Sequence, residues 1–254
     1  MTQSKQVTQS KQSPSKRPQA KDIQEAEKAL IGEMAAELIE PGMVIGLGTG
    51  STVRHFANAL GRRIKAGLPV TAITTSRQSE MLAQQNGIRL TNFDRVSTLD
   101  ICIDGADEVS PDFNMIKGGG GALLYEKIVA GAARRRVYMA DSTKLVTKLG
   151  RFPLPVEVCQ FGHQTVLARL LQLTSQCGLR LRAGQVVTTD AGNYIIDCHF
   201  TAIDDPHALN RRLQEIPGIV ETGLFLGMIG QLITINDGRP VMLTQTEQSF
   251  WRQS

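Results

Sequence analysis

A chain of 254 residues, 41% of them apolar, can bury a substantial core as one large domain or two modest ones. No uninterrupted apolar segment approaches the roughly eighteen residues of a membrane span, and the first residues carry no apolar core of a secretion signal, so a cytoplasmic protein without membrane partners is expected. The formal charge of +4 would suit a nucleic-acid partner, but Lys5, Lys11, Lys16, Arg17 and Lys21 stand in residues 1–21 without one acid; removing these from the 28 bases leaves 23 against 24 acids, a body at −1, and no nucleic-acid partner is expected.

Residues 1–21 repeat TQSKQ at 2–6 and 8–12 and are rich in Ser, Gln, Lys and Pro. Such a segment cannot bury enough apolar area to offset its ordering entropy, and a disordered basic tail is expected there. A helix should begin at Asp22 as N-cap, with Ile23, Ala26, Leu30, Met34 and Leu38 near one face and Pro41-Gly42 closing it. Lys28 lies on this helix, where a solvated face is the ordinary reading of a lysine.

MVIGLGTGST reads as an apolar strand running into a glycine turn, followed by a helix from Thr52 to about Lys65. That arrangement cradles phosphate with backbone amides, here around Thr49, Gly50, Ser51 and Thr52, with three hydroxyls to assist. The dinucleotide fingerprint GxGxxG fails because Ser51 stands at the third glycine, and the next strand, VTAITTS, ends without the acid that would hold a ribose. A P-loop fails too, since no GK[ST] follows, and a monophosphate site is the better reading. A helix near Arg77–Gln85 and a short IRL strand continue the βα alternation of a doubly wound, Rossmann-like parallel sheet.

LDICI then reads as a buried parallel strand ending in DGADE, which places Asp104 and Asp107, with Gly105 and Ala106 between them, where α/β sheets bind ligands. Asp-Gly is also a plain turn signal, so both readings stand at this point. Lys117 and Gly118, Gly119, Gly120 and Gly121 precede a helical pattern, ALLYEKIVAGAA, whose free N-terminal amides favour an anionic oxygen. Glu126 lies in that helix, a position usually occupied by a surface glutamate. RRRVYMADSTK supplies another strand, with Lys144 just beyond its polar end.

Around Gly150 the pattern changes. FPLPVEVC, a helix near Thr165–Leu173, a strand from LRL through VVTT, a DAGN turn, YIIDCHF, a helix over Pro206–Ile216 and GIVETGLF give β-α-β-β-α-β, the split βαβ or ferredoxin-like unit. The expected organisation is therefore a Rossmann-like catalytic domain over 22–150 plus 226–254, with a smaller ferredoxin-like α+β domain, 151–225, inserted before QLITI returns to the first. Asp204, Asp205 and His207 read as helix capping, and His163 and His199 as structural. Cys102, Cys159, Cys177 and Cys198 show no CxxC pairing and no metal-ligand spacing with the histidines, so reduced structural thiols are expected.

DGADE at 104–108, KGGGGAL at 117–123 with EK at 126–127, GLGTGST at 46–52, ADSTK at 140–144 and FPLPVEV at 152–158 together resemble type A ribose-5-phosphate isomerases, in the family's order from about Lys28 to about Phe225. The resemblance implies an aldose-ketose isomerase that takes a sugar phosphate through an enediol, in the non-oxidative branch of the pentose phosphate pathway, working as a homodimer. It also implies that Asp104 and Asp107 engage the sugar hydroxyls and assist ring opening, and that Lys28 and Lys144 join Thr49–Thr52 at the phosphate. Chemistry of that kind needs a base with a raised pKa and fixed positive partners for the developing oxyanion. Glu126 is the candidate base and Lys117 the main oxyanion partner; which of the three carboxylates titrates high is open. No metal or cofactor is expected, since lysine and amides supply the positive field. Gly121 stands where many members carry alanine, and Tyr125 beside the base where smaller or charged residues are common. The rival reading from another class is a sugar-phosphate-binding sensor module without catalysis, but the residues ahead of the fold form a polar repeat, and binding alone needs neither Glu126 nor Lys117. A dehydrogenase is weaker still, for want of the fingerprint.

Overall fold

The computed structural model describes residues 19–247, 250 and 251, so residues 1–18, most of the expected tail, lie outside the described residues. Helix α1 (Ala20–Glu37) starts three residues earlier than its sequence suggests, which makes Lys21 helical, and its N-cap is Gln19 rather than Asp22. Asp22, the third helical residue, accepts the Gln19 backbone N–H at 3.1 Å. An acid at that position satisfies a free donor and opposes the helix dipole, so it marks the start as well as a cap would.

Strand and helix then alternate through β1 (Val44–Leu47), α2 (Ser51–Lys65), β2 (Thr71–Thr74), α3 (Arg77–Gln85), β3 (Arg89–Leu90) and β4 (Leu99–Gly105). A short antiparallel pair, β5 (Glu108–Val109) and β6 (Met115–Ile116), leads into α4 (Leu123–Gly131) and β7 (Ala133–Met139). The second part runs β8 (Leu154–Val158), α5 (His163–Leu170), β9 (Gln176–Leu179), β10 (Leu181–Arg182), β11 (Gln185–Val186), β12 (Tyr194–His199), α6 (Pro206–Gln214) and β13 (Ile219–Thr222). The chain closes with β14 (Leu224–Phe225), β15 (Gln231–Asn236) and β16 (Arg239–Leu243).

The large sheet has the order β16-β15-β7-β4-β1-β2-β3 and is parallel except at its β15–β16 edge. Parallel strands are covered on both faces and therefore read as apolar runs. Here Ile45, Leu47, Ile101 and Ile103 of the central strands are fully buried against Ile31 of α1 and Phe56 and Leu60 of α2. Each such side chain contributes about 1.5–3 kcal/mol.

The second sheet has the order β13-β8-β12-β9 with every pair antiparallel, the ferredoxin-like arrangement. Its core joins Leu154, Val156 and Val158 to Val166 and Leu170 of α5 and Leu209 and Leu213 of α6. Asp205 caps α6 as expected, accepting the Ala208 N–H at 2.8 Å. The segment from LRL through VVTT is not one strand: the sheet takes Gln176–Leu179, and residues 181–186 fold back as the β10–β11 hairpin. Ala183 and Gly184, at φ 51 and 79, are the tight turn that forces the reversal.

A three-stranded sheet, β14-β6-β5, ties the end of the ferredoxin-like unit to the segment before α4. Lys117 follows β6 directly, and its N–H donates to the Gly223 carbonyl at 2.9 Å, so the position of this lysine is set from both units. Among the described residues no helix is long and apolar enough to cross a membrane.

Candidate active site

In the large sheet β1 and β4 are neighbours, and the chain leaves β1 toward β2 on one side and β4 toward β7 on the other. That reversal opens a crevice beyond the carboxyl ends of the two strands. The Gly48–Ser51 turn lies on one side of it and the Gly105–Asp107 turn on the other. The cleft between them is lined by Thr49, Gly50, Ser51, Thr52, Gly105, Ala106, Asp107, Lys117, Gly118, Gly120, Glu126 and Lys144.

Three ionisable side chains converge at its floor. The Lys117 ammonium stands 2.9 Å from Asp104 Oδ2 and 3.3 Å from Glu126 Oε2, and donates to the Gly105 carbonyl at 2.7 Å. All three side chains are at most 3% exposed. The rings of Tyr138 and Phe225 lie 5.8 and 5.5 Å from the ammonium, an apolar wall that the sequence reading did not include. Asp104 Oδ1 accepts the N–H groups of Thr49 at 3.1 Å and Gly105 at 2.7 Å. Lys117 pairs with both Asp104 Oδ2 and Glu126 Oε2 at these distances, and neither oxygen has any other hydrogen-bond donor.

Burial pushes the Glu126 carboxyl up from 4.5 to about 8; the Asp104 and Asp107 carboxylates push the same way, and only Lys117 opposes. Burial also raises Asp104 against the pull of Lys117. For Lys117 burial works toward the neutral amine, but Asp104 and Glu126 outweigh it and hold the ammonium above its ordinary range. The cluster thus contains a permanent cation flanked by two reluctant anions.

Glu126 lies in the first turn of α4, on the stripe Leu123, Glu126, Val129, Ala130 that faces inward. It is therefore not the surface glutamate its position suggested; an acid on the apolar stripe was the available signal. Asp107 accepts the Gly119 N–H at 2.7 Å, which holds the glycine loop against the strand-end turn. Gly119 does not line the cleft itself, and Asp104 lies beneath Lys117.

On the opposite wall Gly50 precedes α2 with φ 124, a conformation suited to glycine, and Ser51 and Thr52, in the helix's first turn where amides lack intrahelical acceptors, line the cleft. The Thr49 hydroxyl is occupied by Thr75 Oγ1 at 2.8 Å and Ser76 Oγ at 2.7 Å, so it braces the turn. Lys144 ends a short 3-10 turn, Ser142–Lys144, and reaches the cleft. Lys28 is not brought to the lining: it is buried on α1 with its ammonium 2.9 Å from Glu25. Among the described residues no cluster of three or more His, Cys, Asp or Glu could hold a metal ion.

Comparison with known proteins places this geometry in a family. The profile of ribose 5-phosphate isomerase A (phosphoriboisomerase A) matches residues 71–238, and that of the DeoR C-terminal sensor domain matches residues 23–93, a stretch that ends before Asp104, Lys117 and Glu126. The chain is 47% identical over 219 residues to ribose-5-phosphate isomerase A of Bifidobacterium adolescentis, covering 85% of this chain and 94% of the relative. It is similar to the solved ribose 5-phosphate isomerase A of Methanocaldococcus jannaschii, with 38% identity and a TM-score of 0.81 over 89% of this chain and 100% of the other. It is also similar to a D-ribose-5-phosphate isomerase solved in complex with phospho-erythronic acid, with 36% identity and a TM-score of 0.81 over 85% of this chain and 97% of the other. The chain belongs to the ribose 5-phosphate isomerase A family.

Proposed function

We propose that this chain interconverts D-ribose 5-phosphate and D-ribulose 5-phosphate through an enediol, with Glu126 as the base. The observation that supports this most is the Lys117 ammonium held between Asp104 and Glu126 at 2.9 and 3.3 Å on the floor of a cleft. Asp107, which lines the cleft, assists opening of the furanose ring, and Asp104, which the resemblance implies in the same step, acts from beneath through Lys117. Glu126 takes the proton from C2 of the aldehyde form, the electron pair forms the C1–C2 double bond, and the carbonyl π electrons move onto O1. Lys117 and the amides of the glycine loop stabilise that oxyanion, which takes up a proton to give the enediol. Loss of the O2 proton restores a carbonyl at C2, and Glu126 returns its proton to C1. A positioned base supplies about 10²- to 10⁴-fold, roughly 3–5 kcal/mol of barrier.

The phosphate rests on the Ser51 and Thr52 amides and Lys144, so that binding energy at the non-reacting end orients the reacting one. Lys28 joins this set by resemblance, and its partner in the free protein is Glu25. We also assign the unit over 151–225 as a separate domain, a cytoplasmic location and a homodimeric state, the last to be checked by light scattering. A sensor that only binds its ligand has no use for a buried carboxylate at the sugar end of the cleft. The deciding test is a coupled assay: the purified chain should form ribulose 5-phosphate from ribose 5-phosphate without added metal or nucleotide and insensitively to EDTA. Glu126→Gln should lose most turnover; a parental rate in that variant excludes the assigned base.

A further inference from the structure

Arg180, between β9 and β10 of the ferredoxin-like unit, reaches into the catalytic loop of the other unit. Its guanidinium is fixed by Asp197 of β12: Nε donates to Oδ2 at 2.8 Å and Nη2 to Oδ1 at 2.5 Å. The remaining nitrogen, Nη1, donates to the carbonyls of Gly118 at 2.7 Å and Gly119 at 3.2 Å. Only 11% of the Arg180 side chain is exposed.

These two carbonyls belong to peptides whose other ends serve the site. In a trans peptide the C=O and the following N–H point in opposite directions, and none of the peptide bonds here is cis. The peptide whose carbonyl Arg180 holds at Gly118 presents its N–H, that of Gly119, to Asp107 at 2.7 Å. The next peptide, held at the Gly119 carbonyl, turns the Gly120 N–H away from Arg180, and Gly120 lines the cleft. A run of four glycines has no side chains with which to fix these orientations and loses more freedom on ordering than any other sequence. The clamp therefore has to come from outside the loop. A planar fork holds the Asp197 carboxylate through two nitrogens and fixes the third in direction toward the two carbonyls, and its charge polarises both peptides and strengthens their N–H donors.

We propose that Arg180 is a positioning residue of the isomerase: it orients the Gly118–Gly119 and Gly119–Gly120 peptides, so that one N–H holds Asp107 and the other faces the oxygen that becomes negative in the enediolate. This rests on the reading of the cleft given under Proposed function. Arg180 touches no substrate atom, and its contribution lies in the chemical step rather than in holding the phosphate.

The test is steady-state kinetics of Arg180→Ala with ethylguanidinium added back. The variant should melt as a folded protein, with kcat down about 10- to 100-fold, the cost of a small misplacement of reacting groups. KM for ribose 5-phosphate and the inhibition constant of inorganic phosphate should stay within about threefold of the parent, since the phosphate end is untouched. Millimolar ethylguanidinium should restore part of kcat in Arg180→Ala and none in the parent. Asp197→Asn, which loosens the fork without removing it, should give a smaller fall of the same kind and answers the question if Arg180→Ala does not fold. A kcat within twofold of the parent in a folded variant, or a loss that ethylguanidinium leaves untouched, overturns the proposal. Failure of the base assignment would appear separately, as a parental rate in Glu126→Gln.

Discussion

A β-carbon placed on Gly48 would stand 1.9 Å from Oδ1 of Asp104. The turn after β1 therefore presses its backbone directly onto the carboxylate that holds Lys117, and the Thr49 N–H one residue on completes the contact at 3.1 Å. Gly48→Ala should force the carboxylate or the turn aside, at a cost of about 1–3 kcal/mol in stability as an overpacked site. The displaced Asp104 would release Lys117, so kcat should fall much further than stability, by about 10²-fold. Thermal melts and kinetics on the same preparation check this; parental kcat in a folded Gly48→Ala would show that the close approach has no catalytic consequence.

Lys117→Met replaces the ammonium by an apolar chain of similar reach and leaves Asp104 and Glu126 facing each other in a buried site. Breaking a buried ion cluster in this way costs about 3–5 kcal/mol when the remaining groups are charged. Both carboxyls are already raised by burial, and loss of the cation raises them further. The destabilisation should therefore be largest near pH 8 and shrink toward pH 5, where Glu126 is protonated in the folded form. Urea unfolding at the two pH values reads the difference, and a loss that does not vary with pH would contradict it. Turnover should fall about 10²- to 10³-fold, the usual effect of removing an oxyanion partner.

The proposed base, Glu126, can act only when ionised, and in the free protein burial pushes its pKa up to about 8. The value of kcat/KM should therefore rise with pH and level off above about 8, with an apparent pKa that belongs to the Asp104–Lys117–Glu126 cluster as a whole. The same shift acts on stability. Between 4.5 and about 8 the folded form binds the proton that the unfolded form has released, so the stabilisation is full below 4.5 and lost as pH rises through about 8. Glu126→Gln has no such proton to lose, and its melting temperature relative to the parent should climb from pH 5 and level off above about pH 8. A flat difference would mean that Glu126 ionises normally in the folded chain.

The sequence carried the alternation of apolar strands and helices clearly, because parallel strands buried on both faces have no polar positions to blur the pattern. It carried the strand-end acids and the glycine loop for the same local reason. What it left out came from partners far apart in the chain. Glu126 looked like a surface residue until α4 packed against β4, β7 and β13, and Arg180 gave no sign of its role because its contact with Gly118 spans 62 residues. The fate of Lys28 depended on Glu25, one turn earlier on the same helix, and on which way that pair faces. One local signal was simply missed: Asp237-Gly238, with φ 48 and 73, is a two-residue hairpin turn, and it makes β16 an antiparallel edge strand beside β15.

The start of α1 bears on the proposed phosphate end through a second long-range contact. Glu27 accepts the backbone N–H of Ser142 at 3.0 Å and its hydroxyl at 2.9 and 3.0 Å, and Gln24 donates to Asp141 Oδ1 at 3.2 Å. Both fix the turn that ends in Lys144. Glu27→Ala removes three acceptor contacts from an exposed turn, so the fold should lose at most about 1 kcal/mol. Lys144 would be less well aimed, and KM for ribose 5-phosphate should rise about 3- to 10-fold while kcat stays within twofold, because the acid, base and oxyanion partners are elsewhere. Deleting residues 1–18, which spares Gln19 and the whole of α1, should leave both constants at parental values, whereas deletion through Lys21 removes the Gln19–Asp22 cap and should move KM in the direction of Glu27→Ala. Kinetics on the three proteins settle the point: a fall in kcat with KM unchanged in Glu27→Ala would place the effect of α1 on the chemistry and not on the phosphate.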